Sequence, residues 1–363
     1  MSTATEGSQT SRFSVRADSL FACASTGLEF YPLQHVRAVP AAGASSPVGG
    51  PVEFQFVASQ MLMVSLPILL GWAVHKLGFL DDQLDSGLSR LVMNIGLPCT
   101  ILSSLGSTPV LPETGVMLLI MAATLATYVV AIVIAVVVTA VLRVPDGSRG
   151  VYQFAMAFGN CGFIGLPVIS AIFGDEALLY AAISLIPANF ALFSAGAIMF
   201  DATSEQGLAR RLRHAMGSLK SPTLVMSVVV FVLAMLGISD LGLIGDSVSI
   251  VGQMTTPLAL LVTGSSLANY QPLAMLGNWR AYVACAARLL IIPLASLAVA
   301  RLFPLDTYLL GIVVIDCSMP VATAGILFCL QHDRDVMPML QTTFLSIIGS
   351  IATIPLVTVL IGS

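Results

Sequence analysis

Residues 152–174 read YQFAMAFGNCGFIGLPVISAIFG, an apolar run long enough to cross a bilayer but interrupted by Gly159-Asn160-Cys161-Gly162, then by Gly165 and Pro167. Glycine weakens a helix and admits other backbone angles, and proline lacks an amide hydrogen and clashes with the preceding turn. The run is therefore predicted to break near mid-membrane. Unpaired backbone groups in hydrocarbon cost on the order of several kcal/mol each, so irregular backbone persists there only where protein or a watery cavity covers it. The break predicts a polar cavity. A second such run, residues 306–332, carries Ile315-Asp316-Cys317-Ser318-Met319-Pro320 near its centre. Interrupted hydrophobic segments at matching positions in two halves of a chain point to the binding site of an inverted-repeat transporter.

Composition agrees with a membrane protein: of 363 residues 57% are apolar and only 9% charged, well outside the range of soluble domains. The net charge of −4 comes with no basic block, which excludes a nucleic-acid partner. Five of the six cysteines, Cys99, Cys161, Cys285, Cys317 and Cys329, fall inside apolar runs without CxxC spacing. They read as small buried hydrophobes rather than a disulfide framework or a metal site. No metal or other cofactor is expected.

Residues 1–51 differ from the rest. They are rich in Ser, Ala, Gly and Pro, carry Arg12, Arg16 and Arg37, and hold no sustained apolar stretch, so they are predicted to form a disordered tail. A start codon placed too far upstream, with the true start near Val52 or Met61, is the alternative. From Phe54 onward ten apolar runs follow, at about 54–77, 84–104, 114–142, 150–173, 176–200, 219–238, 245–268, 279–302, 306–331 and 336–361, each near the length a transmembrane helix needs.

With an offset of 159, Leu77-Gly78 falls on Leu236-Gly237, Pro98 on Pro257, and Cys161 in the first break on Pro320 in the second. Shared landmarks predict a duplicated five-helix unit: residues 52–200, a short linker at 201–218, and residues 219–363. Five is odd, so the second unit is inverted. The fold class predicted is thus an all-α integral membrane protein of ten helices in two inverted repeats. Lys76, Arg90, Arg143, Arg149, Arg210, Arg211, Arg213, Lys220, Arg280 and Arg334 all flank odd-numbered loops, with Arg301 opposite. By the positive-inside rule those loops are cytoplasmic and both termini lie outside.

The motif Asn160-Cys161-Gly162-Phe163-Ile164-Gly165-Leu166-Pro167, followed by Phe173-Gly174-Asp175-Glu176-Ala177, resembles the fourth helix of bacterial auxin efflux carrier transporters. The resemblance continues through Leu97-Pro98, Arg288 with Pro293, Met319-Pro320-Val321-Ala322, and Leu345-Ser346 with Pro355-Leu356. It implies a scaffold domain and a transport domain whose broken fourth and ninth helices cross, elevator-like movement, a carboxylate substrate such as malate or an auxin, a bacterial inner-membrane location and a homodimer. Many relatives carry asparagine where this chain has Ala324, which implies fewer polar contacts or a different ligand.

A helix that restarts at mid-membrane presents unpaired amide hydrogens and the positive end of its dipole, a setting suited to a carboxylate. After Pro320 these donors are predicted near Val321, Ala322 and Thr323, with Ser318 as a possible cap. After the Gly162–Gly165 break they are predicted near Leu166, Val168 and Ile169, on either side of Pro167. Asn160 either contacts the ligand or satisfies broken backbone. Asp316 is the one carboxylate deep in a span, a position that calls for pairing, protonation or function. It reads as a proton-coupling or gating residue, or as the salt-bridge partner of Arg288, which in turn either attracts an anionic substrate or neutralises Asp316. Asn94, Asn189, Gln253 and Gln341 read as interhelical hydrogen-bonding residues.

No GxxxxGK[ST] phosphate loop occurs, which argues against ATP-driven transport by this chain. An intramembrane enzyme needs a paired carboxylate, an activated serine or metal ligands at depth, whereas His75, His214 and His332 sit at span ends. The reading from sequence is a secondary transporter of a small organic anion. A sodium-coupled symporter of related architecture is the alternative, ahead of a channel or receptor.

Overall fold

A helix apolar on one stripe packs against protein on that side alone, whereas one apolar all round meets protein and lipid together. The helix Thr114–Val141 is of the second kind: Met117, Ile120, Thr124, Tyr128, Ala131 and Ala135 are buried, while Leu118, Leu125, Val129, Val133 and Val137 face outward. Ala123, Ala131 and Ala135 are among the residues turned inward, and such small residues let membrane helices approach closely.

The computed structural model describes residues 54–108, 110–201, 221–268 and 275–362. The predicted tail and the linker beyond residue 201, with Arg210, Arg211, Arg213 and Lys220, lie outside the described residues. The described chain is helical throughout. In order come α1 (Phe54–Lys76), α2 (Asp82–Leu91), α3 (Leu97–Ser107), α4 (Thr114–Val141), α5 (Asp146–Ala157), α6 (Leu166–Phe173), α7 (Ala177–Ala191) and α8 (Ala197–Asp201). They are followed by α9 (Pro222–Met235), α10 (Gly242–Gln253), α11 (Thr255–Ala268), α12 (Trp279–Ala286), α13 (Ile292–Ala300), α14 (Thr307–Asp316), α15 (Ala324–Gln331) and α16 (Met337–Gly362). Wide π turns join α2 to α3, α7 to α8 and α12 to α13, and another lies between α5 and α6.

Among the described residues seven continuous helical stretches are long and apolar enough to cross a membrane: Gln55–Lys76, Gln83–Ser107, Thr114–Val141, Ala177–Phe200, Gly242–Ala268, Trp279–Ala300 and Met337–Gly362. The other three predicted runs appear as the shorter apolar helices Cys161–Phe173, Pro222–Met235 and Thr307–Asp316. Two of these are short because the breaks near Asn160 and Pro320 divide them. The third begins at Pro222, where the Ser221 hydroxyl caps the Leu224 amide.

Prolines explain most of the remaining irregularity. Pro98, Pro167 and Pro293 each stand second in an α-helical segment directly after a π turn, at Val92–Gly96, Cys161–Gly165 and Ala287–Ile291. Proline removes a helical hydrogen bond and pushes on the preceding carbonyl, and one extra residue in that turn relieves the clash. Near Pro257 the helix interrupts at Met254, between α10 and α11.

Glycine closes two helices in the same way. After α1, Leu77 N–H bonds to Ala73 O, Gly78 N–H to His75 O and Phe79 N–H to Val74 O; after α9, Leu236, Gly237 and Ile238 bond to Val232, Ala234 and Leu233. Gly78 and Gly237 hold φ of +81° and +74°, the left-handed cap that glycine adopts without strain. Every partner in the second set lies 159 residues after its counterpart in the first. Packing places α1 against α11, where backbone oxygens of Leu261 and Ile68 sit against Gly71 and Gly264. Helix α4 packs on α5, α7 and α13.

Of the four polar residues predicted to tie helices together, Gln341 does so, accepting from Asn278 Nδ2 at 2.7 Å. Asn189 instead donates to Leu185 in its own helix, and Asn94 and Gln253 are exposed.

Candidate functional site

Helix α5 stops at Ala157 because Phe158 is extended and the next residues, Gly159 and Asn160, leave the helical region. Asn160 starts the second half: its Oδ1 accepts from Phe163 N–H at 3.2 Å, and its carbonyl accepts from Ile164 at 3.2 Å and Gly165 at 2.9 Å. This is an N-cap followed by a π turn that ends where Leu166 N–H reaches Cys161 O. In the other run α14 ends at Asp316, and α15 begins at Ala324 behind Thr323.

The two breaks are hydrogen-bonded to each other. Asn160 N–H donates to Pro320 O at 2.8 Å, Ala322 N–H to Phe158 O at 3.0 Å, and Gly159 and Val321 face each other as an antiparallel bridge. Two stretches of broken backbone thus satisfy one another inside the membrane, as the absence of water there demands.

Arg288, fully buried on the π turn between α12 and α13, completes the crossing. Its Nε donates to Met319 O at 2.9 Å, and its Nη1 to Met156 O at 3.2 Å and Ala157 O at 3.1 Å. One guanidinium therefore binds the open carbonyl end of α5 and the turn ahead of Pro320. Cation at a helix C-terminus is favourable, and the rigid fork of arginine suits several acceptors at once. The expected Arg288–Asp316 salt bridge is not formed among the described residues. Nε and Nη1 are committed to carbonyls of both breaks, which fixes the guanidinium there, and its Nη2 has no partner among the described residues.

A cavity of about 720 Å³ opens beside the crossing. Its wall includes Gly159, Asn160, Cys161, Gly162 and Phe163 from the first break and Ala322, Thr323 and Ala324 from the second. Ser86, Ser89 and Arg90 of α2 and Thr263 and Ser266 of α11 form another side, with Tyr128 of α4 and Thr343 of α16. Arg90 is the only charged residue on this wall among the described residues. Asn160 is 6% exposed, and its Nδ2 finds no partner among the described residues.

Three of the predicted site residues, Asn160, Gly162 and Thr323, line the cavity, whereas Gly165, Pro167, Ser318, Pro320 and Val321 do not. The predicted donors also shift. Val321 N–H is taken by Ser346 Oγ at 3.0 Å and Ala322 N–H by Phe158, which leaves the amides of Thr323 and Ala324 without an acceptor among the described residues. Because Asn160 begins the second half-helix, Leu166, Val168 and Ile169 lie past its first turn. The amides of Cys161 and Gly162 are the ones without an acceptor. Ser318 caps nothing: its hydroxyl returns to Val314 O at 2.7 Å, in the last turn of the preceding α14. Asp316 is 1% exposed and stands behind the wall.

Sequence reasoning did not single out Tyr128, Arg90, Ser86, Ser89, Thr263 or Ser266 as parts of the site. Hydroxyl residues on membrane helices bond to their own backbone so often that they carry little signal. Arg90, counted only for orientation, was the one with a usable signal, a lone cation one turn inside an apolar run.

A family model described as membrane transport protein matches residues 56–358. An uncharacterized transporter of Methanothermobacter thermautotrophicus is 25% identical over 296 residues, which covers 82% of this chain and 95% of the relative. An uncharacterized transporter of Methanocaldococcus jannaschii is 21% identical over 307 residues, covering 82% and 96%. With its multiple apolar helices and paired breaks, the chain belongs to the membrane transport protein family, that of the auxin efflux carriers, and is a multi-pass membrane transporter.

Proposed function

We propose that this chain is a secondary active transporter of a small organic anion, a carboxylate such as malate or an auxin-like acid, moved by alternating access at the crossing. The observation that carries the reading is the cavity wall itself. It offers hydrogen-bond donors from two helix starts and from Asn160 Nδ2, and among the described residues its only charge is the cation of Arg90. Donors without acceptors around a concave site fit a ligand with oxygen acceptors and negative charge. Asn160 and Thr323 take the ligand-contact role, Gly162 allows close approach, and Gly165, Pro167, Ser318, Pro320 and Val321 shape the backbone behind them.

In this reading the chain crosses the membrane ten times as two inverted five-helix units, residues 52–200 and 219–363, joined by a cytoplasmic linker at 201–218. The matching caps after α1 and α9 support it, as do matching bonds after α4 and α13, where Leu142 to Val138 and Arg301 to Leu297 again differ by 159. Both termini lie outside a bacterial inner membrane, and the units assemble a scaffold and a moving transport domain, as a homodimer. Asp316 serves ion coupling or gating, with Arg288 holding the crossing beside it.

Replacing Asn160 or Pro320 by alanine is expected to lower uptake of labelled malate or indole-3-acetate into proteoliposomes by about tenfold or more, equivalent to ~1.4 kcal/mol. Both variants should still reach the membrane. Normal uptake by both purified variants would move the site elsewhere.

A further inference from the structure

Asp316 is the last residue of α14, 1% exposed, and its Oδ2 has no hydrogen-bond partner among the described residues. The titratable and charged groups near it are the Tyr128 hydroxyl of α4, the Cys161 thiol of the first break, the neighbouring Cys317 thiol and Arg288. The Arg288 guanidinium is engaged with three carbonyls and forms no ion pair with Asp316. The Cys317 thiol donates to Thr127 Oγ1 at 3.1 Å. The Tyr128 hydroxyl and the Cys161 thiol are 3.1 Å apart, the thiol also lies 3.5 Å from the backbone oxygens of Asp316 and Gly159, and both residues line the cavity.

A carboxylate at membrane depth without a paired cation is too costly to keep by accident. This one is separated from the cavity by two groups that each carry a transferable hydrogen.

We propose that Asp316 carries a transported proton, loaded from the cavity through Tyr128 and Cys161, so that substrate movement is coupled to protons. The proposal rests on the transporter reading of the same site. The transfer balances: a hydronium in the cavity gives a proton to the Tyr128 oxygen and leaves as water, the Tyr128 proton passes to the Cys161 sulfur, and the Cys161 proton passes to the Asp316 carboxylate. Release reverses the three steps, and both relay groups end as they began. Substrate bound at Asn160 and Gly162 sits directly against Cys161, so occupancy of the cavity controls water access to the relay. Tyr128 and Cys161 are positioning residues here, and Asp316 is the group that holds the ion.

Two measurements test this. The first is infrared spectroscopy of the purified full-length protein in lipid, which reads the carbonyl band of a protonated buried carboxyl and needs no substrate. The band is expected in wild type and absent in Asp316→Asn, and its shift on transfer to deuterated water should slow several-fold in Tyr128→Phe. An identical band in Asp316→Asn, or unchanged exchange in Tyr128→Phe, overturns the proposal.

The second measurement compares labelled malate uptake driven by an imposed pH gradient with malate counterflow at equal pH, taken as a ratio so that expression and folding cancel. The ratio should fall to about one in Asp316→Asn and drop about fivefold in Cys161→Ala. Cys161→Ser, which keeps a hydrogen to pass on, should restore it. A wild-type ratio in Asp316→Asn, or equal losses in Cys161→Ala and Cys161→Ser, overturns the relay. If wild-type protein moves neither malate nor indole-3-acetate, the transporter reading has failed, while the infrared band still decides whether Asp316 holds a proton.

Discussion

Replacement of Arg288 by methionine is expected to destabilise the protein by about 3–5 kcal/mol, the cost of leaving several buried backbone carbonyls without their donor. The guanidinium is fully buried and makes three hydrogen bonds to backbone carbonyls. Two of its acceptors, Met156 and Ala157, belong to the last turn of α5, where carbonyls have no partner within the helix. Methionine fills the space but donates nothing, and each carbonyl left dry costs ~1–3 kcal/mol. Thermal unfolding in detergent should shift downward by roughly 10 °C, judged from the temperature change per kcal/mol in large domains. Arg288→Lys should fall between, because a single ammonium cannot serve acceptors in two strands of broken backbone as a planar fork does. A methionine variant as stable as wild type would mean that the crossing is held by its own backbone bonds and that Arg288 is dispensable.

Gly159→Ala is expected to have the next largest effect. A Cβ built on Gly159 would lie 1.9 Å from Arg288 Nη2, 3.0 Å from its Cζ and 3.1 Å from Met319 O. The guanidinium cannot retreat without giving up its carbonyls, and Met319 O is itself one of them. Transport should be abolished and stability lowered by an amount comparable to loss of the arginine. The cost should shrink in the Arg288→Met background, where the methyl group meets no guanidinium. Thermal stability of wild type, the two single variants and the double variant forms a cycle, and a coupling of ~1–2 kcal/mol or more is expected, as for residues in direct contact. Additive losses would contradict the contact that places Gly159 under Arg288.

These two residues also mark the limit of what could be read from the chain. The breaks were legible because glycine, asparagine and proline interrupt apolar runs at depths where interruption is costly, and both appear where the residue types placed them. The shared offset of Leu77-Gly78 and Leu236-Gly237 was legible as a repeat landmark, although the glycine caps they form were not read from it. Arg288 was visible as an arginine out of place, but its natural partner on paper was Asp316, the only deep carboxylate. Backbone carbonyls of two distant helix ends are acceptors that no residue type announces, so its bonds to Met319, Met156 and Ala157 were beyond local reasoning.

The misplaced donors have a similar origin. Glycine is the evident breaker in this stretch, so the second half was expected to start after Gly162–Gly165. Asn160 caps that half ahead of both glycines, and the π turn at Cys161–Gly165 absorbs the proline. Val321 was expected to offer its amide to a ligand, but Ser346 of α16 reaches it first. The far wall of the cavity, with Ser86, Ser89, Thr263 and Ser266, depends on how α2 and α11 pack beside the crossing, which periodicity alone does not set.

The central claim is that the crossing of two broken helices is a carboxylate site that moves its ligand across the membrane. It is tested most directly by reconstituting the purified protein in proteoliposomes and measuring uptake of labelled carboxylates, malate and indole-3-acetate among them, with and without imposed pH and sodium gradients. The expected result is saturable uptake of at least one carboxylate, accelerated by the pH gradient and lost in Asn160→Ala. The contradicting result is no flux of any carboxylate, under either gradient, from protein shown to be folded in the bilayer.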